Sequence, residues 1–482
     1  MNGTGHPSYP RRRYPLPILA LVLALVLTLS WAVVSYAGRA GGWKATEFQV
    51  QNMDNETANF TAHFYRPDGS EALSFTDNIP PGRSVYYRPE TDLGLPVDFT
   101  GTLRLESEQN IAGTIIHFAA QMDDFNGNDV FEMVPDDTTA RTYFAPLIER
   151  NHGGSSSKIL VGNLGPAPAA ATIFIYNPDG TLASTRVLGP IPENGSASLN
   201  LKKVGNLGDQ FIGSARIEAD QPIWVDIVQV SSDRWAVYPA TPTGDVELYA
   251  PVAADGVIPT IRVQNVSDIA TTVWVCSAAD CEDPVDLPPW GSRQIMPTHS
   301  WKNYYTITSP GGGPIAAVVS ISDTVGASVY TALSWDQAST CQATPMLFDD
   351  YDDWDTTLWM YNPNADPVTV TVSFVGTSPL DSSVEIVQIA PGGTQSLGPD
   401  DVDVGTNYVA QISADQPVFA LVTGTASDED DGRFVYRATG FPSCPSTPIP
   451  TLTEWGYIVL AAFIVLVAAW TLRRRSLVAP VR

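Results

Sequence analysis

The chain has 482 residues, 26 basic and 52 acidic groups, and a formal charge of −26 at pH 7. That length predicts roughly three or four domains, and 44% apolar against 16% charged residues excludes a disordered chain or a coiled coil. The two ends hold nine of the basic groups and one acid, so the middle carries 17 basic against 51 acidic groups, a net of −34. A surface of that sign repels phosphate and excludes nucleic acid and anionic lipid as its partners.

The first feature in chain order is Arg11-Arg12-Arg13, followed by an apolar run from Leu16 to Ala37 that ends in Ser35-Tyr36-Ala37. A basic flank, an apolar stretch and small residues at the close make a secretory signal cut after Ala37. The run is 22 residues long, enough for an uncleaved anchor helix as well. On either reading, residues 1–37 serve export and the chain beyond them lies outside the cytoplasm.

From residue 45 the sequence repeats itself. Strands ending in Asn52, Asn163, Asn265 and Asn362 are each followed by a turn, at Ile79-Pro80-Pro81-Gly82, Ile191-Pro192-Glu193-Asn194, Leu287-Pro288-Pro289-Trp290 and Ile389-Ala390-Pro391-Gly392. The offsets from Asn to the leading Ile or Leu are 27, 28, 22 and 27 residues, and successive Asn landmarks stand 111, 102 and 97 residues apart. A period of that length is a domain. The units predicted are 45–140, 141–243, 244–340 and 341–444, in a row.

Unit two reads as short strands: Tyr143–Leu147, Lys158–Asn163, Ala171–Tyr176, Ser184–Leu188, Ser196–Leu201, Ile212–Glu218, Ile223–Val230 and Trp235–Tyr238. Thr172-Ile173-Phe174-Ile175-Tyr176 has the β-branched and aromatic enrichment of a strand, and turn residues recur at short intervals. The fold class expected is all-β, four tandem immunoglobulin-like β-sandwiches between an N-terminal signal or anchor helix and a C-terminal transmembrane helix. The likeness is architectural, because the Cys–Trp–Cys core pattern is absent. Unit one lacks the leading strand that opens units two and three at Tyr143–Leu147 and Leu248–Val252.

Four cysteines allow three pairings. Cys276 and Cys281 flank a hairpin turn, while Cys341 and Cys444 bracket unit four, so those two pairs are the disulfides expected after export. Acidic loops are the candidates for metal. Asp350, Asp352, Asp353 and Asp355 form the best group for Ca²⁺, with further acids at Asp428-Glu429-Asp430-Asp431 and Asp123-Asp124. Their spacing does not meet the D-x-[DN]-x-[DN]-G pattern, and acidic loops are commonly just solvated.

No catalytic signature is present: G-x-S-x-G, H-E-x-x-H and G-x-x-x-x-G-K are all absent, and the five histidines are scattered. The expectation is a protein that is not an enzyme and holds no cofactor beyond a possible Ca²⁺. Trp235, Trp335 and Trp354 are candidates for stacking on sugar rings.

After a Pro-rich linker at residues 445–448 comes Ile449-Pro450-Thr451-Leu452-Thr453-Glu454-Trp455-Gly456, then an uncharged run to Leu472 and Arg473-Arg474-Arg475. This segment, 449–482, resembles the IPTL-CTERM sorting signal of bacterial envelope proteins, with Thr453 where Ser is usual. The resemblance covers only this tail. It implies a bacterial surface protein handled by a sorting or processing system, with Ile449, Pro450, Thr451, Leu452, Glu454, Trp455 and Gly456 as the recognised residues. The run from Trp455 to Leu472 is long enough to span a bilayer, with the arginines cytoplasmic. The function expected is therefore a membrane-anchored or sorted cell-surface protein presenting its domains for adhesion, spacing or envelope assembly. The alternative is a surface receptor for carbohydrate, or one dependent on calcium, using the loops of one unit.

Overall fold

The computed structural model describes the chain from residue 31 to 444, apart from residues 39–44, 97–98, 119–127, 136–138, 232–234, 252–257, 278–279, 299–303, 323–326, 351–353, 377–381, 403–406, 427–432 and 443. About two thirds of its described residues are strand, and helix is confined to a few short turns. Period-two patterning explains why. In Ala58–Tyr65, Ala169–Tyr176 and Val368–Gly376, side chains alternate between a buried and an open face, and each fully buried Ile, Val or Phe stabilises by about 1.5–3 kcal/mol.

Each unit has its own core, between two sheets in the first and third and within one continuous seven- or eight-stranded sheet in the second and fourth. Phe48, Phe60 and Leu105 are at the centre of the first, Ile159, Ile173 and Ile217 of the second, Val263, Tyr305 and Val319 of the third, and Val370, Phe374 and Val422 of the fourth. In unit three the sheets are separate, one built from Glu247–Pro251, Tyr304–Thr308, Thr271–Cys276 and Val285–Leu287, the other from Ser292–Ile295, Thr260–Asn265, Ile315–Ser322 and Ala327–Thr331. In units two and four a single twenty-residue strand, Phe211–Val230 or Asn407–Ala426, joins the two halves of the sheet by pairing with strands of both.

That long strand departs from the sequence reading, in which Asp220-Gln221-Pro222 breaks it in two. No turn is needed there, because the neighbours satisfy the backbone. Asp220 accepts the amide of Ala170 at 2.8 Å, and the carbonyl of Pro222 accepts that of Leu164 at 3.0 Å.

The repeated Asn is a latch. Asn163 is buried, and its Nδ2 donates to the carbonyls of Ala167 at 2.8 Å and Ile191 at 2.9 Å while its Oδ1 accepts the amide of Gly165 at 2.9 Å. Asn52 makes the same bonds to Glu56, Ile79 and Asp54, Asn265 to Ile269, Leu287 and Ser267, and Asn362 to Asp366, Ile389 and Asn364. The two sequence landmarks are thus the two ends of one hydrogen-bonded clasp between sheets. Its turn needs a left-handed residue, supplied by Gly82, Asn194, Trp290 and Gly392 at φ of 63°, 57°, 62° and 62°.

The expectation of units in a row is corrected by their packing. The turn of each unit seats on the preceding one. Asn194 O accepts from Thr102 Oγ1 at 3.1 Å, Trp290 O from Ser214 Oγ at 3.4 Å, and a Cβ at Gly392 would stand 2.8 Å from Tyr304 Oη. The turn of unit one seats on unit four, where Arg83 Nη1 donates to Gly376 O at 2.8 Å. Beside it Gln51 Nε2 reaches Ala410 O at 3.4 Å, the counterpart of Gln264 Nε2 on Ala215 O at 3.3 Å between units three and two.

The four clasp-bearing segments therefore contact one another in a closed cycle, the fourth against the first. Around its axis the last strands of the units, Asn128–Glu132, Trp235–Pro239, Ala327–Thr331 and Arg433–Arg437, each touch the next, and the fourth touches the first. Val237, Val329 and Val435 on these strands each enter the core of the unit before. For these three strands the physical reason is that burying each valine in the neighbouring core removes apolar surface from water.

Unit one also has a leading strand, against expectation. Residues Trp31–Gly38, read in the sequence as the close of the export helix, pair antiparallel with Thr100–Ser107. Trp31-Ala32-Val33-Val34 suits a strand as well as an apolar helix, and the edge at Thr100–Ser107 supplies hydrogen bonds that an isolated segment lacks. Residues 1–30 and 445–482 lie outside the described residues, and with them the remainder of the signal run and the C-terminal span. Among the described residues no helix is long and apolar enough to cross a membrane.

Candidate functional site

Where the four axial strands end, their continuations diverge and leave a cavity of about 750 Å³ on the ring axis. Every unit contributes to it: Met133 from unit one, Trp224 and Pro239 from unit two, Thr331 and Ser334 from unit three, and Thr439 and Phe441 from unit four. The connectors at 239–243 and 331–340 are rich in Pro, Thr and Ser because they must leave one unit and enter the next without regular pairing.

Its lining mixes apolar side chains with hydroxyls. Tyr143 donates to the carbonyl of Ile223 at 2.9 Å, and burial pushes its phenol up to about 12, so it remains a neutral donor. Thr331 Oγ1 donates to Pro239 O at 2.6 Å, tying units three and two together at the wall. Thr439 Oγ1 is shut off from solvent and has no hydrogen-bond partner among the described residues. Asp336 and Arg437 are the charged lining groups of opposite sign, so the cavity is close to neutral inside an acidic protein.

Trp335 stands between the lining residues Ser334 and Asp336 on a short 3₁₀ turn, Trp335–Gln337. Gln337 Oε1 accepts the amide of Ser334 at 2.9 Å, which fixes the turn, and the indole is 46% exposed. Its inner neighbour is Tyr249, with ring centroids 6.3 Å apart, in an aromatic group that includes Tyr361 and Phe419.

The other sequence candidates fall elsewhere. Trp354 is buried and stacked on Phe434 at 5.1 Å, which corrects its reading as a surface platform: it covers the core of unit four. The side chain of Trp235 lies outside what is described. Of the acidic group, Asp355 Oδ1 accepts the amide of Asp350 at 2.8 Å, so it caps a tight turn, while Asp352 and Asp353 lie outside the described residues. Among the described residues no three His, Cys, Asp or Glu side chains converge as a metal site would require.

The disulfides Cys276–Cys281 and Cys341–Cys444 are both formed. Cys341 packs with Met53 and Ala112 of unit one, with Phe441 and Cys444 beside it. The second disulfide thus fixes residue 444 at the seam between units four and one, near the cavity-lining Phe441.

The cavity itself was not foreseen, because its residues are generic connector residues that only ring closure brings together.

Residues 447–475 match the IPTL-CTERM motif, a C-terminal sorting signal of bacterial surface proteins. The sorting residues Ile449 to Gly456 fall inside that match. No curated protein matches the chain. Among solved structures, the crystal structure of Thermotoga maritima 1070 is 14% identical, with 23% of this chain and 98% of that one covered at a TM-score of 0.19. A tetra-tandem repeat from the extending region of a large adhesion protein is 12% identical over 85% of this chain and 99% of its own, at a TM-score of 0.10. A Bacteroides uniformis β-glucuronidase 2 is 12% identical over 44% of this chain and 26% of that one, at 0.12. Likenesses this distant carry no functional argument.

Proposed function

We propose that the protein is a non-catalytic adhesive element of the bacterial surface, exported by its N-terminal signal and held by its C-terminal one. In this reading the units are immunoglobulin-like sandwiches, Trp455–Leu472 spans the membrane as a helix, and Arg473–Arg475 stay in the cytoplasm. The sorting motif at 447–475 is the observation that carries it. Ring closure favours presentation of a binding surface over spacing, because a ring gives little reach for its length.

The test is export and retention. Protease added to cells with opened outer layers should remove the ring, and a chain ending at Cys444 should appear in the medium. Full protection of the ring, or retention of the shortened chain on the cell, would overturn the reading.

A further inference from the structure

We infer that the export signal is cut after Ser30, so that the mature chain begins at Trp31 with the first strand of unit one. This sets the processing site within the export step of the reading above and rests on that reading.

The argument starts from the sheet. Residues Trp31–Gly38 pair along their whole length with Thr100–Ser107, from Trp31 opposite Ser107 to Gly38 opposite Thr100. On its far side the same strand meets Val134-Pro135. Unit four repeats this order, with Ser339–Phe348 between Asn407–Ala426 and Thr439-Gly440. The opening strands of units two and three, Ala140–Arg150 and Glu247–Pro251, likewise pair with Phe211–Val230 and Tyr304–Thr308. In every unit the strand so flanked pairs on its other side with a matching partner: Ala58–Tyr65, Ala169–Tyr176, Thr271–Cys276 or Val368–Gly376. Trp31–Gly38 thus holds in unit one the place that an opening strand holds in the other three.

Both fates open to the apolar run Leu16–Ala37 conflict with that place. A cut after Ala37 discards seven of the eight paired residues. It leaves an open edge on Thr100–Ser107, a strand whose Leu103 and Leu105 are fully buried in the core. An uncleaved anchor fails on length. With Trp31 onward in the sheet, Leu16–Ser30 is 15 residues, a helix of about 22 Å against a hydrocarbon layer of about 30 Å.

What remains upstream of the strand has the form of a cleaved signal. Leu16–Leu27 is 12 residues, inside the roughly 7–15 of a signal's apolar core, whereas the 22 residues to Ala37 exceed it. Thr28 and Ser30 are small residues at −3 and −1 of the Ser30–Trp31 bond. Ser30 and Ala32 form a second such pair, but a cut after Ala32 removes the partners of Ser107 and Glu106. The step is hydrolysis: water adds across the Ser30–Trp31 peptide bond, Ser30 keeps the new carboxylate and Trp31 the new amine.

The experiment reads the N-terminus of the full chain recovered from the envelope of producing bacteria. Digestion after lysine gives one first peptide, because Lys44 is the first lysine, and mass spectrometry identifies its start. Trp31–Lys44 is expected. A first peptide starting at any other residue of an exported chain, such as Val33, Gly38 or Met1, overturns the proposal.

A second chain, lacking residues 31–37 but keeping Thr28-Leu29-Ser30, tests the strand itself. Amide hydrogen exchange in Thr100–Ser107 should rise at least about tenfold, while that in Thr260–Asn265 of unit three stays as it was. Unchanged exchange in Thr100–Ser107 would show that unit one does not need the strand, and would remove the ground for the site. Protease accessibility, scored as above, separates the two readings. A chain kept inside with Met1 in place defeats export as a whole, whereas an exported chain with another start defeats this inference alone.

Discussion

Replacing Asn163 by Ala removes one clasp and tests the architecture most directly. Three hydrogen bonds are lost: two from Nδ2 to the carbonyls of Ala167 and Ile191, at 2.8 and 2.9 Å, and one accepted from Gly165 at 2.9 Å. Net contributions of about 0.5–1.5 kcal/mol per bond, with backbone groups left unpaired in a buried site, give an expected loss of about 2–4 kcal/mol. Asn163→Asp should cost at least as much, because a carboxylate would then face two carbonyl oxygens. Urea unfolding of a soluble form ending at Cys444, followed by tryptophan fluorescence, measures the shift in midpoint. Equivalent losses are expected for Asn52, Asn265 and Asn362, which make the same bonds. The exposed Thr185, changed to Ala, serves as the control. A loss below about 0.5 kcal/mol at all four asparagines, within the range of an ordinary surface change, would refute the clasp.

Other expectations follow from the same geometry. Small-angle scattering of the form ending at Cys444 should give a radius of gyration near that of a compact chain of its length, about 22 Å. A value roughly twice that would mean that the units stand in a row. Cys341→Ala should destabilise more than Cys276→Ala, by about 2–3 kcal/mol in the chain-entropy account, because the disulfides close separations of 103 and 5 residues. Equal effects in urea would count against that account. Lys158 is held below its ordinary pKa, first by burial and then by Lys203. Its unfolded form therefore binds more protons between the depressed pKa and the ordinary 10.5, so stability rises with pH through that window. Lys158→Met should raise the melting temperature at pH 7, and its advantage should shrink as pH approaches 10.5. An advantage that grows with pH would show that burial is not the cause.

Much of the unit was legible because its clasp is local. Asn163 and Ile191 lie 28 residues apart, and both partners are marked by residue type, a buried amide and a Pro-rich turn. Cross-unit contacts leave no such mark. Arg83 reaches a carbonyl 293 residues away, and Gln51 one 359 residues away, through backbone oxygens that every residue possesses. Val237, Val329 and Val435 look like ordinary strand residues, and nothing in their sequence context says that they enter a neighbouring core. Trp335 and Trp354 were indistinguishable as exposed aromatics. Only the stacking of Trp354 on Phe434 separates the core residue from the surface one. The axial cavity inherits this illegibility, since it exists only once the fourth unit meets the first.

Closure also sets an evolutionary condition on the gene. A row of repeats can gain or lose a member by recombination and still fold, but a ring whose members each turn the chain by a fixed angle cannot. Removing one unit is therefore expected to leave the Arg83 turn without its carbonyl at Gly376 rather than simply to shorten the molecule.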